Sequence, residues 1–291
     1  MPDPLRFLVA ESELPEDREK RRRSAGQSSG ESYVETLCSL VPDATCDQVK
    51  PAEEDSPRQD AAGIARYDAV FLCGSPLHVY ERTPEVERQL DFMREVFRSG
   101  TPAFGSCAGL QVATVAAGGT VRSNAHGHEA GFARRIAPTE AGRTHPLLAG
   151  RPAAYDAPAI HGDEVEQLPE GATLLAGNAV TAIQAAEIRF DGGVFWGVQY
   201  HPELSLREIA QALRRQAETL MEDGLARTPD DVEAQARLIE ALHREPERRD
   251  LAWRLGLDRQ VTEARTRQTE LRNFIDRLVR PTRRERRGSG A

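Results

Sequence analysis

Phe104-Gly105-Ser106-Cys107-Ala108-Gly109-Leu110-Gln111 is the stretch on which the reading of this chain turns. An apolar run from Thr101 to Ser106 ends on a cysteine flanked at two-residue distance by Gly105 and Gly109. An alanine-rich run from Ala108 to Ala117 follows, closed by Gly118-Gly119. The pattern predicts a strand, a turn too sharp for flanking side chains, and a helix, with the thiol at the apex. Such a turn lifts the sulfur above a sheet and aims the N–H of Ala108 at the place where an oxyanion would form. A thiol also needs a base to become a nucleophile at neutral pH. His201-Pro202-Glu203, at the end of the apolar run Val194–Tyr200, offers a base and a carboxylate to orient it. Taken singly, the cysteine reads as a small core residue and His-Pro-Glu as a turn. Their joint occurrence, each after a strand-like run, predicts a Cys107–His201–Glu203 triad.

Working outward, Leu5–Ala10 reads as a buried first strand, residues 11–30 as a polar loop, and Tyr33–Leu40 as a short helix. Tyr67–Cys73 is a second strand, ended by Gly74-Ser75-Pro76. Thr83-Pro84-Glu85 starts a helix, with Thr as cap, Pro in the first turn and Glu at the positive end of the dipole; Gly100 closes it. This alternation predicts an α/β fold, a doubly wound, mostly parallel sheet with helices on both faces. Ligands bind such sheets beyond the carboxyl ends of the strands. The 11–30 segment, Gly74-Ser75-Pro76 and Cys107 therefore fall on one rim, where the Ser75 N–H is a candidate second oxyanion donor.

Phe132–Ile136, Ala159–Val165, Thr173–Ala176 and Val180–Phe190 are further strand candidates. After Glu203 the pattern becomes helical and charged. The apolar stripes Val232/Ile239/Leu242 and Leu271/Phe274/Leu278 need burial. The expected organisation is a main domain over 1–211, a helical extension over 212–280 and a disordered basic tail over 281–291.

The 38 basic and 46 acidic side chains leave a net charge of −8, which argues against a nucleic-acid partner. No apolar stretch approaches the roughly 20 residues of a membrane span, and no signal peptide is evident at the N-terminus. Cytoplasmic residence is the expectation. Cys38, Cys46, Cys73 and Cys107 form no C-x-x-C pair and are expected as free thiols. No zinc pattern is present, and no metal or cofactor is assigned.

These motifs resemble those of the class I, triad-type glutamine amidotransferases. The family's G-x-C-x-G-x-Q is similar to Gly105-Ser106-Cys107-Ala108-Gly109-Leu110-Gln111, and its His-Pro-Glu to His201-Pro202-Glu203 after Gly197-Val198-Gln199-Tyr200. Its G-G-P turn becomes Gly74-Ser75-Pro76. The Ser-His-Gly-Asp segment of the GMP-synthase branch becomes Ile160-His161-Gly162-Asp163. The resemblance covers residues 5–210 and implies a flavodoxin-like sheet and a glutaminase reaction. In it Cys107 attacks the side-chain amide of glutamine, His201 moves protons and Glu203 orients it. Ser75 and Ala108, beside Gly74, hold the oxyanion. Gln111, His161, Gly162 and Asp163 help bind the amino-acid end. Ser75 in place of glycine is tolerable for a backbone donor, whereas Ile160 in place of serine removes a polar contact.

No S-G-G-x-D-S loop or Walker A pattern follows residue 204. The ammonia would then pass to a separate acceptor synthetase, and the C-terminal helices would cover the sheet, dock that partner or mediate self-association. Two other readings compete. One is a γ-glutamyl amide or peptide hydrolase with a wider pocket, in which Arg21–Arg23 on the rim binds a carboxylate-bearing substrate. The other is a non-catalytic binding protein on the same fold.

Overall fold

The computed structural model describes residues 3–288. Among them, β1 (Arg6–Ala10), β2 (Thr45–Val49), β3 (Ala69–Leu72) and β4 (Ala103–Ser106) enter one sheet in chain order. β5 (Thr120–Ser123) and β8 (Asp163–Gln167) form a separate pair. β6 (Glu129–Pro138), β7 (Tyr155–His161), β9 (Ala172–Gly177), β10 (Ala185–Phe190) and β11 (Gly193–Val198) complete the large sheet. Its order is β2-β1-β3-β4-β11-β10-β9-β6-β7. The strands from β2 to β11 run parallel, and β10, β9, β6 and β7 continue the sheet in antiparallel pairs. The chain runs from β1 outward to β2 and then returns to β3 on the other side of β1. This reversal opens a crevice at the carboxyl ends of β1 and β3.

Strand alternation sorts the apolar side chains into two layers. Phe7, Val9, Phe71, Phe104 and Trp196 face one side, against Tyr33 and Leu37 of the helix Ser29–Leu40. Leu8, Val70, Leu72 and Phe195 face the other, against the helices Pro84–Ser99 and Ala108–Ala116. The first of these two helices starts as its sequence dictates, with the Thr83 side chain accepting from the Val86 N–H, Pro84 in the first turn, and Gly100 ending it in the left-handed region.

Several expectations are corrected. The 11–30 segment is not a loop, because it contains the helix Pro15–Ala25. That helix has Pro15 at its start, Glu16 and Asp17 in its first turn, Arg22 and Arg23 in its last, and Gly26 as a left-handed stop. With no apolar stripe it had no periodicity to read. The strand expected over Ala159–Val165 breaks at Gly162 into β7 and β8, and the His128 ring packs where a side chain on residue 162 would lie. The basic tail is helical over Arg280–Gly288. Arg283 donates to the carbonyls of Asp3 (2.8 Å) and Pro4 (3.1 Å), and Arg286 to that of Gly100 (2.6 Å). Residues 289–291 lie outside the described residues.

The boundary drawn at 211/212 falls inside the helix Leu206–Arg215. Farther along, the C-terminal helices belong to the core. Phe274 packs edge-on to Phe71 (5.4 Å between centroids) and Trp196 (6.0 Å), and tilted on Phe104 (5.5 Å). Glu270 is fully buried, paired with Arg151 at 2.7 Å, and accepts from the Tyr200 hydroxyl at 2.9 Å. No helix among the described residues is long and apolar enough to cross a membrane.

Phe274→Ala is expected to lower the unfolding free energy by about 3–5 kcal/mol, because the aromatic cluster cannot close over the vacancy. Urea titration followed by circular dichroism measures it. A loss indistinguishable from zero would place this helix off the sheet.

Candidate active site

Cys107 sits where β4 gives way to the helix Ala108–Ala116, with φ 52° and ψ −112°. A residue with a side chain is rarely held there. The turn closes because its neighbours have no side chains. A Cβ on Gly105 would lie 2.8 Å from the Gly109 carbonyl carbon, and one on Gly109 would lie 2.7 Å from the Leu72 carbonyl oxygen. Ala108 is the first helical residue, so its N–H has no acceptor within the helix.

β11 lies parallel to β4 with Val198 opposite Ser106, and the Cys107 N–H donates to the Val198 carbonyl at 2.8 Å. Three residues later the chain presents His201, whose own N–H is held by the Pro158 carbonyl of β7 at 2.8 Å. The His201 ring and the Cys107 side chain converge over Gly74, where an added Cβ would come within 2.9 Å of His201 Cε1 and 3.7 Å of Cys107 Cβ. His201 Nδ1 meets Glu203 Oε1 at 2.7 Å, and Glu203 Oε2 accepts from the Ser106 hydroxyl at 2.8 Å. Burial works against a charge on His201, but Glu203 and the adjacent Cys107 sulfur overcome it and push the imidazole up to about 10. The favoured form at neutral pH is the imidazolium.

Burial, then Glu11 and Glu203, push Cys73 well up. Burial and its neighbour Cys38 push Cys46 up to about 12.

A cleft of about 310 Å³ opens above the sulfur, of a size suited to a small metabolite. Cys107, His201, Glu203, Gly74 and Ser75 border it, as do Ile160, Leu204 and Ala212. A larger hollow of about 700 Å³ lies between the 51–60 loop and the helix Pro84–Ser99, away from Cys107 and His201, with no cysteine or histidine in its lining.

Other residues singled out from sequence are placed differently. Gln111 is buried behind the site and donates to Gln199 Oε1 at 3.3 Å. His161 faces away from the cleft lining, with Nε2 on Glu129 Oε2 at 3.2 Å and Nδ1 on the Asp163 carbonyl at 3.0 Å. Gly162 forms the break between β7 and β8, and its carbonyl accepts from the Asn124 N–H at 2.8 Å. Asp163 pairs with His78 at 2.7 Å. Of Arg21–Arg23, only Arg21 reaches the cleft; Arg22 pairs with Glu31 and Arg23 with Glu19 outside it.

Sequence reasoning missed Gln199, whose Nε2 lies 3.5 Å from the Cys107 sulfur. A fully buried amide between Val198 and Tyr200 in an apolar strand was the available signal. Ser106 was missed as a partner of Glu203, and so were Glu13 and Arg215 on the cleft wall.

The sequence profile described as glutamine amidotransferase class-I matches residues 27–218. A γ-glutamyl-L-1-hydroxyisopropylamide hydrolase from Pseudomonas sp. is 34% identical over 98% of this chain and 97% of its own length. GMP synthase from Leifsonia xyli is 37% identical, over 53% of this chain and 29% of its own length. Among solved structures, a glutamine amidotransferase from Thermotoga maritima covers 94% of this chain and 98% of its own with a TM-score of 0.59 at 17% identity, a likeness of fold. With the family profile spanning most of the chain and a full-length hydrolase relative, this chain belongs to the class I glutamine amidotransferase family and is an amide-hydrolysing enzyme.

Proposed function

We propose that the chain hydrolyses the γ-amide of a γ-glutamyl amine through a Cys107–His201–Glu203 triad. The observation that carries this reading is the full-length similarity to a γ-glutamyl-amide hydrolase, which extends through the C-terminal helices. The GMP synthase similarity covers about half the chain. The cleft fits the same reading, since Ile160, Leu204 and Ala212 offer an apolar wall to an N-alkyl group.

In this mechanism the Cys107 sulfur, as thiolate beside the His201 imidazolium, attacks the γ-carbonyl carbon. The carbonyl π electrons move to oxygen, and the N–H groups of Ser75 and Ala108 receive the oxyanion. The C–N bond then breaks. His201 gives its proton to the departing nitrogen, and the amine leaves a γ-glutamyl thioester. Water, losing a proton to His201, attacks the thioester; glutamate departs and the thiolate–imidazolium pair returns. Glu203 holds the ring and supports its charge at 2.7 Å.

A second reading has a specific observation in its favour. In Methanoculleus marisnigri the glutamine-hydrolysing GMP synthase is divided into subunits, and one of them is 36% identical over 53% of this chain and 73% of its own length. On that reading glutamine is the substrate and ammonia passes to a separate synthetase. Comparing kcat/KM for glutamine with that for a series of γ-glutamyl N-alkylamides decides between the two. The N-alkylamides are expected to be preferred; a preference for glutamine supports the second reading.

Cys107→Ala is expected to reduce turnover by at least ~10⁴-fold. Glu203→Gln keeps the shape and loses the charge, for a fall on the order of 10²–10⁴-fold. A glutamine-shaped alkylator is expected to label Cys107 ahead of Cys73 and Cys46, whose thiols are pushed up; peptide mapping that finds undiminished labelling in Cys107→Ala refutes the nucleophile.

The raised imidazole also links to stability. Its ordinary value is 6.5 and its folded value about 10, so the stability it contributes is fully present below 6.5 and lost as pH rises towards 10. Urea midpoints across that window are expected to fall less steeply for Glu203→Gln than for the unaltered chain. Parallel slopes would mean that Glu203 does not raise His201.

A further inference from the structure

Two guanidinium groups border the cleft above Cys107. Arg21 comes from the helix Pro15–Ala25, and Arg215 is the last residue of the helix Leu206–Arg215. Arg215 donates to the Ser24 hydroxyl at 2.9 Å and, among the described residues, has no carboxylate within ion-pairing distance. It stands on the exposed rim of the cleft, where desolvation and the neighbouring Arg21 push it down to about 10 against the opposing pull of Glu13 and Glu208. Arg21 is better supplied but not saturated. Its Nη2 lies 3.4 Å from Glu208 Oε1 and its Nη1 3.6 Å from Glu13 Oε1, while its Nε is buried with no acceptor. Glu208 is already engaged. It closes the capping box at Ser205 and accepts from the Ser32 hydroxyl. The cleft therefore presents unused guanidinium donors beside a nucleophile, a strong arrangement for a carboxylate. Glu13 borders the same space, with Oε2 accepting from the Ser29 N–H at 3.1 Å.

We propose that Arg21 and Arg215 form the subsite for the α-carboxylate of the glutamyl group, with Glu13 facing its α-ammonium. The assignment rests on the γ-glutamyl reading of the site. Both signs of charge in one cleft match a zwitterionic amino-acid head. A carboxylate on the leaving amine would use the two arginines and leave Glu13 with only Arg21 and the Ser29 N–H as partners.

The test uses the full chain and matched N-alkylamides of L-glutamate, of 4-aminobutyrate (no α-carboxylate) and of glutarate (no α-amine). The unaltered enzyme is expected to prefer the L-glutamate amide over both. Arg215→Gln is expected to raise KM for the L-glutamate amide by roughly 10- to 100-fold, the effect of losing a charge-assisted pair, and to leave kcat/KM for the 4-aminobutyrate amide unchanged. Arg215→Lys should recover part of the loss. Glu13→Gln should narrow the preference for the L-glutamate amide over the glutarate amide. Arg22→Gln, whose partner is Glu31 outside the cleft, should change nothing. Equal losses on the L-glutamate and 4-aminobutyrate amides, or an unchanged KM in Arg215→Gln, overturn the assignment. So does a loss confined to γ-glutamyl dipeptides, which would place the carboxylate on the amine. Where Arg215→Gln does not fold by circular dichroism, Arg21→Gln takes its place under the same criteria.

A second readout separates this subsite from the reaction itself. Cys107 is alkylated with 6-diazo-5-oxo-L-norleucine and with the same diazoketone lacking the α-carboxylate. If no amide is turned over, the hydrolase reading fails. The subsite then stands if the amino-acid reagent reacts faster and Arg215→Gln abolishes the difference; equal rates in the unaltered chain overturn it.

Discussion

The turn at Cys107 is the constraint from which the rest of the site follows. A side-chain-bearing residue at φ 52° is costly and persists only where its surroundings leave no alternative. Here they leave none. β4, the helix that follows it and the end of β3 approach so closely that Gly105 and Gly109 have no room for a Cβ. The sulfur is thereby fixed at the end of a buried strand. The histidine arrives at the end of the neighbouring parallel strand, in register through Val198 and Ser106. The spacing of Cys107 and His201 is therefore set largely by sheet geometry, about 4.8 Å between strands, rather than by a loop. Gly74, at the end of the next strand, leaves the space into which the imidazole fits.

Burying His201 with Glu203 removes two ionisable groups from water, which is unfavourable unless their remaining hydrogen-bonding capacity is met. Glu203 has His201 on one oxygen and the Ser106 hydroxyl on the other, and its backbone carbonyl accepts from Thr36 at 3.3 Å. Ser106 in turn lies 3.4 Å from the Tyr33 hydroxyl. Ser106, the residue before Cys107, thus holds Glu203 in place beside His201. This is why a small hydroxyl side chain serves at a fully buried strand position where an apolar residue would otherwise pack.

The parallel half of the sheet was legible because its strands are short apolar runs bounded by strong stop signals, as at Gly74-Ser75-Pro76 and Gly100. Cys107, His201 and Glu203, the proposed nucleophile, base and acid, stood out for a different reason, since such chemistry would need unusual residues at the ends of those runs. What could not be read had no apolar pattern to betray it. β2 (Thr-Cys-Asp-Gln-Val) is an edge strand with mostly exposed side chains, and the helix Pro15–Ala25 is charged throughout. The glycine at the Gly162 break answers to the distant His128 ring, and the helical tail is held by arginines that reach back to Asp3, Pro4 and Gly100. Gln199 and Arg215 belong to the site only through contacts between segments far apart in sequence. Local spacing carries no trace of those.

The helices at the two ends of the chain give this site its individual character. Arg21 and Glu13 lie before the segment matched by the family profile, on and just ahead of a helix laid against the helix Leu206–Arg215. From the other end, Glu270 reaches the Tyr200 hydroxyl, next to His201 in sequence, and its pairing with buried Arg151 holds it there. Tyr200 and Tyr155 share a hydroxyl contact at 2.9 Å, so this network ties the C-terminal helices to both β7 and the end of β11. The sheet positions the reacting atoms, and elements outside the sheet shape the space around them. A sheet that fixes a nucleophile so rigidly can accept different amides only through changes in those outer walls. Here Ile160 at the end of β7, Leu204 and Ala212 form an apolar side, and the helices Pro15–Ala25 and Leu206–Arg215 add the charges of Arg21 and Arg215.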